Sequence, residues 1–130
     1  MELKVGMKHK YQELVTPEKL AVAYGSGGLE VYATPGMIAL MESACLKCVE
    51  DAVGEGNTTV GTKVCVEHLA LTPVFMMAAA ECELIEIDGR RLVFKVMAFD
   101  ECGKIGEGTH ERFIVNAEKF KEKCAYKSTL

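Results

Sequence analysis

The sequence predicts an α+β fold in which an antiparallel β-sheet wraps around one long central helix. Residues 37–49 contain only apolar or small side chains apart from Glu42 and Lys47, which is typical of a helix buried in a protein interior. Four runs rich in β-branched residues follow, and Asp88-Gly89, a frequent hairpin turn, joins two of them. Successive hairpins build an antiparallel sheet, and a helix that is apolar on most sides has to be covered by it. At 130 residues, the chain is expected to form one domain over residues 1–130.

Local signals predict the position of each element. Residues 8–15 predict a first strand, which Thr16-Pro17 ends before a short helix and a loop with three glycines. Thr34-Pro35 is a helix start signal, since threonine suits the N-cap and proline suits the first helical position. The central helix is expected from residue 35 to about residue 53, where GEGN closes it. The remaining strands are predicted over residues 60–70, 76–87, 91–100 and 104–115, followed by a charged helix that Asn116 caps.

Charge and hydropathy argue against several classes of protein. The formal net charge of −4, from 15 basic and 19 acidic residues, argues against a nucleic-acid binder, which usually has a basic excess. No stretch reaches the roughly 18 consecutive apolar residues of a membrane span. The N-terminal MELKVGMKHKY lacks the apolar segment of a secretory signal, and six cysteines without such a signal indicate reduced thiols. We therefore predict a cytoplasmic protein with no nucleic-acid or membrane partner.

The predicted architecture also implies a second copy of the chain. One helix covers only one face of one sheet, so an edge strand or a flank of the helix is left uncovered. Soluble oligomers most often bury such surfaces by pairing two identical chains about a twofold axis. The sequence therefore predicts a homodimer.

Two titratable residues on facing elements are candidates for a site. Burying even a neutral polar group costs about 2–7 kcal/mol without a partner. Glu42 therefore reaches solvent or a salt bridge, or it is a carboxylate placed in a cleft for chemistry. By alternation, His68 shares the helix-facing side of its strand with Val60 and Thr62. It is either a core histidine bonded to the backbone or a partner of Glu42, and the pairing on facing elements favours a site.

Thr34 and Arg112 are further candidates. A hydroxyl at a helix start lies where the helix dipole favours developing negative charge, in addition to its role as a cap. Eight residues along a helix rise about 12 Å, so Thr34 and Glu42 should not touch within one chain, and a twofold partner would supply one of them. Arg112 is either a solvated strand arginine or a group that holds a carboxylate or phosphate. Cys45 and Cys48 are interpreted as buried thiols, and no metal site is predicted.

Four blocks of the sequence, YATPGMIALMESAC, VGTKVCVEHLALTP, DGRRL and IGEGTHERF, together resemble the fluoroacetyl-CoA thioesterase family of hot-dog fold thioesterases. The resemblance runs over nearly the whole chain. It implies the hot-dog fold, a dimer with sites at the subunit interface, and hydrolysis of acyl-CoA thioesters without a cofactor. Carried over by position, the family's catalytic residues match Thr34, Glu42 and His68. Its substrate-contacting residues match Gly61 and Arg112.

The resemblance implies a role for each catalytic residue. Glu42 would be the nucleophile or the general base toward water, which the sequence leaves open. His68 would move protons or hold the carboxylate and water, and Thr34 would hydrogen-bond the substrate or the oxyanion.

The segment before the central helix departs from the family. It reads AYGSGGLEVYA, without the longer, phenylalanine-bearing lid of the family, so we expect a different and short acyl group. The alternatives are a non-catalytic acyl-CoA-binding domain and an enoyl-CoA hydratase.

Overall fold

An antiparallel β-sheet covers one long helix, as the sequence predicts. The computed structural model describes residues 2–130. In chain order, the elements are β1 (Lys8–Leu14), a 3-10 turn (Pro17–Lys19), α1 (Ala21–Tyr24), α2 (Thr34–Val49), β2 (Asn57–His68), β3 (Met77–Asp88), β4 (Arg91–Asp100), β5 (Lys104–Asn116) and α3 (Ala117–Lys127). Within residues 2–130, five strands form one antiparallel sheet in the order β1-β3-β4-β5-β2. Helix α2 lies against β1, β2, β3 and β4, which confirms the α+β prediction.

The core lies between α2 and the sheet face that the helix covers. Burial alternates along most of β3, as expected for a strand with one face inward. Burying a large aliphatic or aromatic side chain contributes about 1.5–3 kcal/mol, so this layer is the main source of stability. The largest fully buried side chains here are Met37, Leu40, Met41, Leu84, Leu92, Phe94 and Val96.

Helix α2 begins and ends at different residues from those predicted. Ala33 is the N-cap and makes no side-chain cap, so the prediction that Thr34 caps the helix is wrong. Thr34 is instead the first helical residue, and its hydroxyl bonds to His68 at the end of β2. The helix ends at Val49, before the predicted end at about Val53, because a turn follows in which Asn57 Nδ2 donates to the Val53 carbonyl at 2.9 Å.

A bulge in β2 changes which of its residues face the helix. Gly61 pairs with Arg112, but Lys63 pairs with Glu111, so Thr62 is an extra residue without a partner in β5. Before the bulge, Gly61 faces α2. Because alternation restarts after it, Val64, Val66 and His68 face α2 as well.

The prediction that Val60 and Thr62 share this inner face is therefore wrong. Val60 pairs with Phe113, whose side chain is 40% exposed on the outer face.

Several local predictions are confirmed. Strand β4 spans the predicted residues, and the predicted hairpin with β3 forms, although its two turn residues are Gly89 and Arg90 and Asp88 is the last residue of β3. Asn116 caps α3 by accepting a hydrogen bond from the Lys119 backbone N–H at 3.0 Å. Cys45 and Cys48 are buried thiols. Of the helices in residues 2–130, none has the length and apolar character needed to cross a membrane.

Candidate active site

Thr34 and His68 meet where α2 starts and β2 ends. Thr34 Oγ1 lies 2.7 Å from His68 Nδ1, a hydrogen bond between residues that are 34 positions apart in the chain. Thr34 is the first helical residue and not the N-cap, so its hydroxyl points away from the cap position and makes this bond instead. A cavity of about 300 Å³ opens beside the pair and is lined by Ser26, Val31, Tyr32, Leu69 and Leu71, among others.

His68 is placed to exchange a proton with its surroundings. Burial lowers the pKa of His68 below its ordinary value of 6.5, and the nearby Ala70 backbone opposes that shift. The neutral imidazole is therefore favoured near neutral pH, with one nitrogen as donor and the other as acceptor. Nε2 is buried and has no hydrogen-bond partner within residues 2–130, while Nδ1 lies against the Thr34 hydroxyl.

Hydrogen bonds and an ion pair fix the start of α2 against strand β1. The Tyr32 side chain is 1% exposed, and its hydroxyl donates a short hydrogen bond to Glu13, whose other oxygen lies 2.6 Å from Lys19 Nζ. The same hydroxyl lies 3.2 Å from the Gly36 carbonyl in the first turn of the helix. Tyr32 therefore ties the first turn of α2, and Thr34 with it, to strand β1. No sequence motif marks Tyr32 as part of the site.

Glu42 lies farther along α2 and is not a buried, unpaired carboxylate. Its side chain is 41% exposed, and its Oε2 lies 3.8 Å from Arg112 Nη1. Among residues 2–130 it makes no hydrogen bond, so its oxygens are open to an outside group. A Cβ atom at Gly61 would lie only 2.6 Å from Glu42 Oε2, so the glycine leaves the room that the carboxylate occupies.

Arg112 is held from inside the protein. The residue is 6% exposed, which contradicts the interpretation of a solvated strand arginine. Its Nε donates to Thr59 Oγ1 at 2.8 Å, its Nη2 donates to the Thr59 carbonyl at 2.9 Å, and its Nη1 lies 3.1 Å from His110 Nε2. Burial lowers the pKa of Arg112, while the charge of Glu42 opposes the shift. Sequence reasoning missed Thr59 and His110, although His110 shares the inner face of β5 with Arg112.

The predicted site residues thus form two groups on one chain. The first is Thr34 with His68, and the second is Glu42 with Gly61 and Arg112. Thr34 and Glu42 are eight residues apart, about 12 Å along a helix, and do not meet. No cluster of three or more His, Cys, Asp or Glu side chains in the described part of the chain is arranged to hold a metal ion.

Comparison with known proteins places the chain among thioesterases. Residues 15–118 match the family described as fluoroacetyl-CoA-specific thioesterase. The fluoroacetyl-CoA thioesterase of Streptantibioticus cattleyicolor is 40% identical over 99 residues, which cover 76% of this chain and 71% of that protein. The solved structure of the fluoroacetyl-CoA thioesterase FlK matches with a TM-score of 0.91 and 34% identity over 98% of both chains.

Two further structures bear on ligand and fold. A variant of FlK solved in complex with acetyl-CoA matches with a TM-score of 0.91 and 34% identity, over 96% of this chain and 98% of that one. A hot-dog-like protein from Thermanaerovibrio acidaminovorans matches with a TM-score of 0.85 at 18% identity, over 96% of this chain and 93% of that one. These matches confirm the predicted hot-dog fold.

Proposed function

Because this chain belongs to the fluoroacetyl-CoA-specific thioesterase family, we propose that it hydrolyses a short-chain acyl-CoA thioester to the free acid and CoA. The observation that carries the proposal is the 2.7 Å Thr34–His68 hydrogen bond at the edge of a cavity. Such a pair provides a hydroxyl donor and a proton carrier together. The FlK variant with bound acetyl-CoA supports an acyl-CoA as the ligand class. No cofactor is needed for this reaction.

The proposed chemistry uses each group in turn. Water attacks the thioester carbonyl carbon, the C–S bond breaks, and the CoA thiolate takes up a proton. Glu42 removes the proton from water as general base, or attacks the carbonyl itself to form an anhydride that water then opens. Thr34 donates to the carbonyl oxygen as negative charge develops there, helped by the N-terminus of α2. His68 passes the proton that water releases on to the leaving sulfur, so Glu42 and His68 return to the states in which they began.

Gly61 and Arg112 complete the proposed site next to Glu42. We assign Gly61 to the substrate contact, since its lack of a side chain lets the Glu42 carboxylate lie close to strand β2. Arg112 sets the charge around the carboxylate, since its guanidinium lies 3.8 Å from Glu42. Both residues are on paired positions of β2 and β5, so the register of these two strands fixes their relative positions.

A homodimer would join the two groups of site residues. Glu42 lies on a flank of α2 that the sheet leaves uncovered, together with Pro35, Ile38 and Ala39 at helical spacing. Strand β2 is an edge of the sheet, and long edge strands favour pairing with another chain. Antiparallel pairing of two β2 strands would bring the Gly61 end of one beside the His68 end of the other. Each site would then take Thr34 and His68 from one chain and Glu42 from its partner.

The acyl group, the domain organisation and the location are also proposals. The glycine-containing loop before α2 contributes Ser26 to the cavity beside Thr34, and a cavity of about 300 Å³ suits a short acyl group. The buried residues form one contiguous core, in support of one domain over residues 1–130. The free thiols of residues 2–130 support a cytoplasmic location.

The test follows the loss of thioester ultraviolet absorbance across a panel of acyl-CoAs. We expect the wild type to hydrolyse short acyl-CoAs and Glu42→Gln to turn over at least about a hundredfold more slowly, the scale of a lost general base. Glu50→Gln is the matched control, because Glu50 is an exposed glutamate just beyond the end of the same helix.

Two outcomes would contradict the proposal. Binding of acyl-CoA without turnover by folded wild-type protein would identify a non-catalytic binding domain. Hydration of an enoyl-CoA with the thioester left intact would identify a hydratase.

A further inference from the structure

We propose that His110 is a positioning residue, which holds Arg112 away from a short hydrogen bond with Glu42 and so keeps the Glu42 carboxylate available. It does so as a neutral imidazole with its proton on Nδ1 and a free acceptor on Nε2. The inference rests on the proposed role of Glu42 in thioester hydrolysis. His110 belongs to none of the groups that the proposed chemistry uses.

The partners of the two ring nitrogens define the tautomer. His110 Nδ1 lies 2.8 Å from the Lys63 carbonyl oxygen, which only accepts, so Nδ1 carries a proton. His110 Nε2 lies 3.1 Å from Arg112 Nη1, and a guanidinium only donates, so Nε2 is an acceptor without a proton. Only one of the three forms of imidazole satisfies both contacts.

The surroundings of His110 favour the same form. The residue is 1% exposed, its ring stacks on Phe94 with centroids 6.5 Å apart, and a Cβ at Gly61 would lie 3.2 Å from its Cε1. The charged groups that act on it are Arg112, Glu42 and Glu111. Burial lowers the pKa of His110 most, and Arg112 lowers it further, while the Lys63 carbonyl and the two glutamates oppose the shift.

The acceptor on Nε2 explains the long ion pair of Glu42. A charge-assisted hydrogen bond between a guanidinium and a carboxylate is about 2.7–2.9 Å long. Here Arg112 Nη1 stays 3.8 Å from Glu42 Oε2, because the two contacts with Thr59 fix one edge of the guanidinium and His110 holds Nη1. Without that acceptor, only the Thr59 contacts would hold the planar guanidinium, and it would tilt toward the carboxylate, which would become a poorer base or nucleophile.

Two substitutions of similar polarity separate the acceptor from the rest of the ring. In His110→Gln, the longer amide reaches the place of Nε2 and offers an oxygen to Arg112. In His110→Asn, the shorter amide reaches only the place of Nδ1 and keeps the contact with the Lys63 carbonyl. We expect His110→Asn to lower kcat at least about tenfold, the scale of one hydrogen bond to a charged group, with little change in KM. His110→Gln should keep most of the wild-type kcat. Equal losses in both variants, or none in His110→Asn, would overturn the proposal.

A measurement without substrate keeps this inference separate from the proposed function. In wild-type protein with 15N-labelled histidine, the resonances that disappear in His110→Gln should show a protonated Nδ1 and an unprotonated Nε2 at neutral pH. An imidazolium, or the tautomer with its proton on Nε2, would overturn the positioning role. If this tautomer is found in a protein that hydrolyses no thioester, the proposed function has failed while the geometry of His110 stands.

Discussion

At the start of α2, Thr34 shares a 2.7 Å hydrogen bond with His68, whereas in the middle of the same helix Glu42 has an ion pair at 3.8 Å and no hydrogen bond among residues 2–130. The support behind each residue is also different. Tyr32 anchors the helix start, because its hydroxyl bonds to Glu13 of strand β1 and lies close to the Gly36 carbonyl of α2. Arg112 stands behind Glu42 and is itself fixed by three hydrogen bonds within the core.

The difference indicates that the two groups of site residues are positioned in different ways. Thr34 and His68 form a hydrogen-bonded pair of a hydroxyl and an imidazole, the groups to which the proposed function gives oxyanion stabilisation and proton transfer. The Glu42 carboxylate has no hydrogen-bond donor among residues 2–130, and it lies beside the fixed guanidinium of Arg112. The start of α2 holds its site residue with a hydrogen bond, whereas the middle of α2 leaves the Glu42 carboxylate without one. If both serve one reaction, a second chain has to bring them together.

The largest expected effect comes from hybrid dimers. One chain carries Thr34→Ala, the other carries Glu42→Gln, and two different affinity tags isolate the hybrid. If each site takes Thr34 and His68 from one chain and Glu42 from the other, the hybrid has one intact site and should show about half of the wild-type turnover. Each variant alone should be nearly inactive. Turnover is measured by thioester absorbance.

A second hybrid tests the grouping itself. Thr34→Ala paired with His68→Asn damages the same half of the site on both chains, so neither site stays intact and activity should not recover. Recovery in this control, or no recovery in the first hybrid, would contradict the division into two groups across the interface.

A smaller effect is expected from filling the space beside Glu42. The Cβ of Gly61→Ala would lie 2.6 Å from Glu42 Oε2, 3.2 Å from His110 Cε1 and 3.4 Å from Arg112 Nη1. The carboxylate is the end of a flexible side chain and moves aside, so we expect the fold to survive and kcat to fall about tenfold, as misplaced catalytic groups lose rate steeply. Thermal unfolding and kinetics are measured on the same samples.

Gly28→Ala is the matched control for this substitution, because a Cβ there meets nothing within 4 Å. Unchanged kcat in Gly61→Ala would mean that the position of the Glu42 carboxylate does not matter.

The smallest expected effect is on stability against pH. Burial lowers the pKa of both His68 and His110 below the ordinary value of 6.5. Their contribution to stability is complete above that value, and it is lost as the pH falls through the lowered pKa of the folded state, because protons then bind preferentially to the unfolded chain. Urea midpoints measured across this range should decline toward acid, and less steeply in His110→Gln. Equal slopes in the two proteins would show that His110 does not titrate in this way.

Local signals in the sequence were sufficient for much of the fold. The hairpin at Asp88-Gly89 and the Asn116 cap depend on residues next to each other in the chain, and both are confirmed. The long apolar helix and the strands after it were enough for the architecture, because a buried helix leaves the sheet few ways to cover it.

The site depended on contacts that no local pattern records. Thr34 has the residue type of a cap, but a histidine 34 residues away takes its hydroxyl. The sequence left the environment of Arg112 open, because Thr59 lies 53 residues away on another strand. Glu42, Gly61 and His68 were identified by resemblance and by position on facing elements, while their division into two groups became visible only in three dimensions.

The extra residue at Thr62 has a consequence for how this protein tolerates insertions and deletions. Gly61 and His68 are seven positions apart, and in a regular strand an odd separation puts two side chains on opposite faces. The bulge makes up the difference, so both point toward α2. Deleting Thr62 would leave Gly61 and His68 six positions apart in a regular strand, so both would still point toward α2. Deleting one residue elsewhere between them, with the bulge kept, would turn one of the two side chains to the other face. A one-residue deletion in this strand is therefore tolerated at the bulge and not elsewhere between Gly61 and His68, and a relative that lacks the bulge is expected to have one residue fewer between these two site positions.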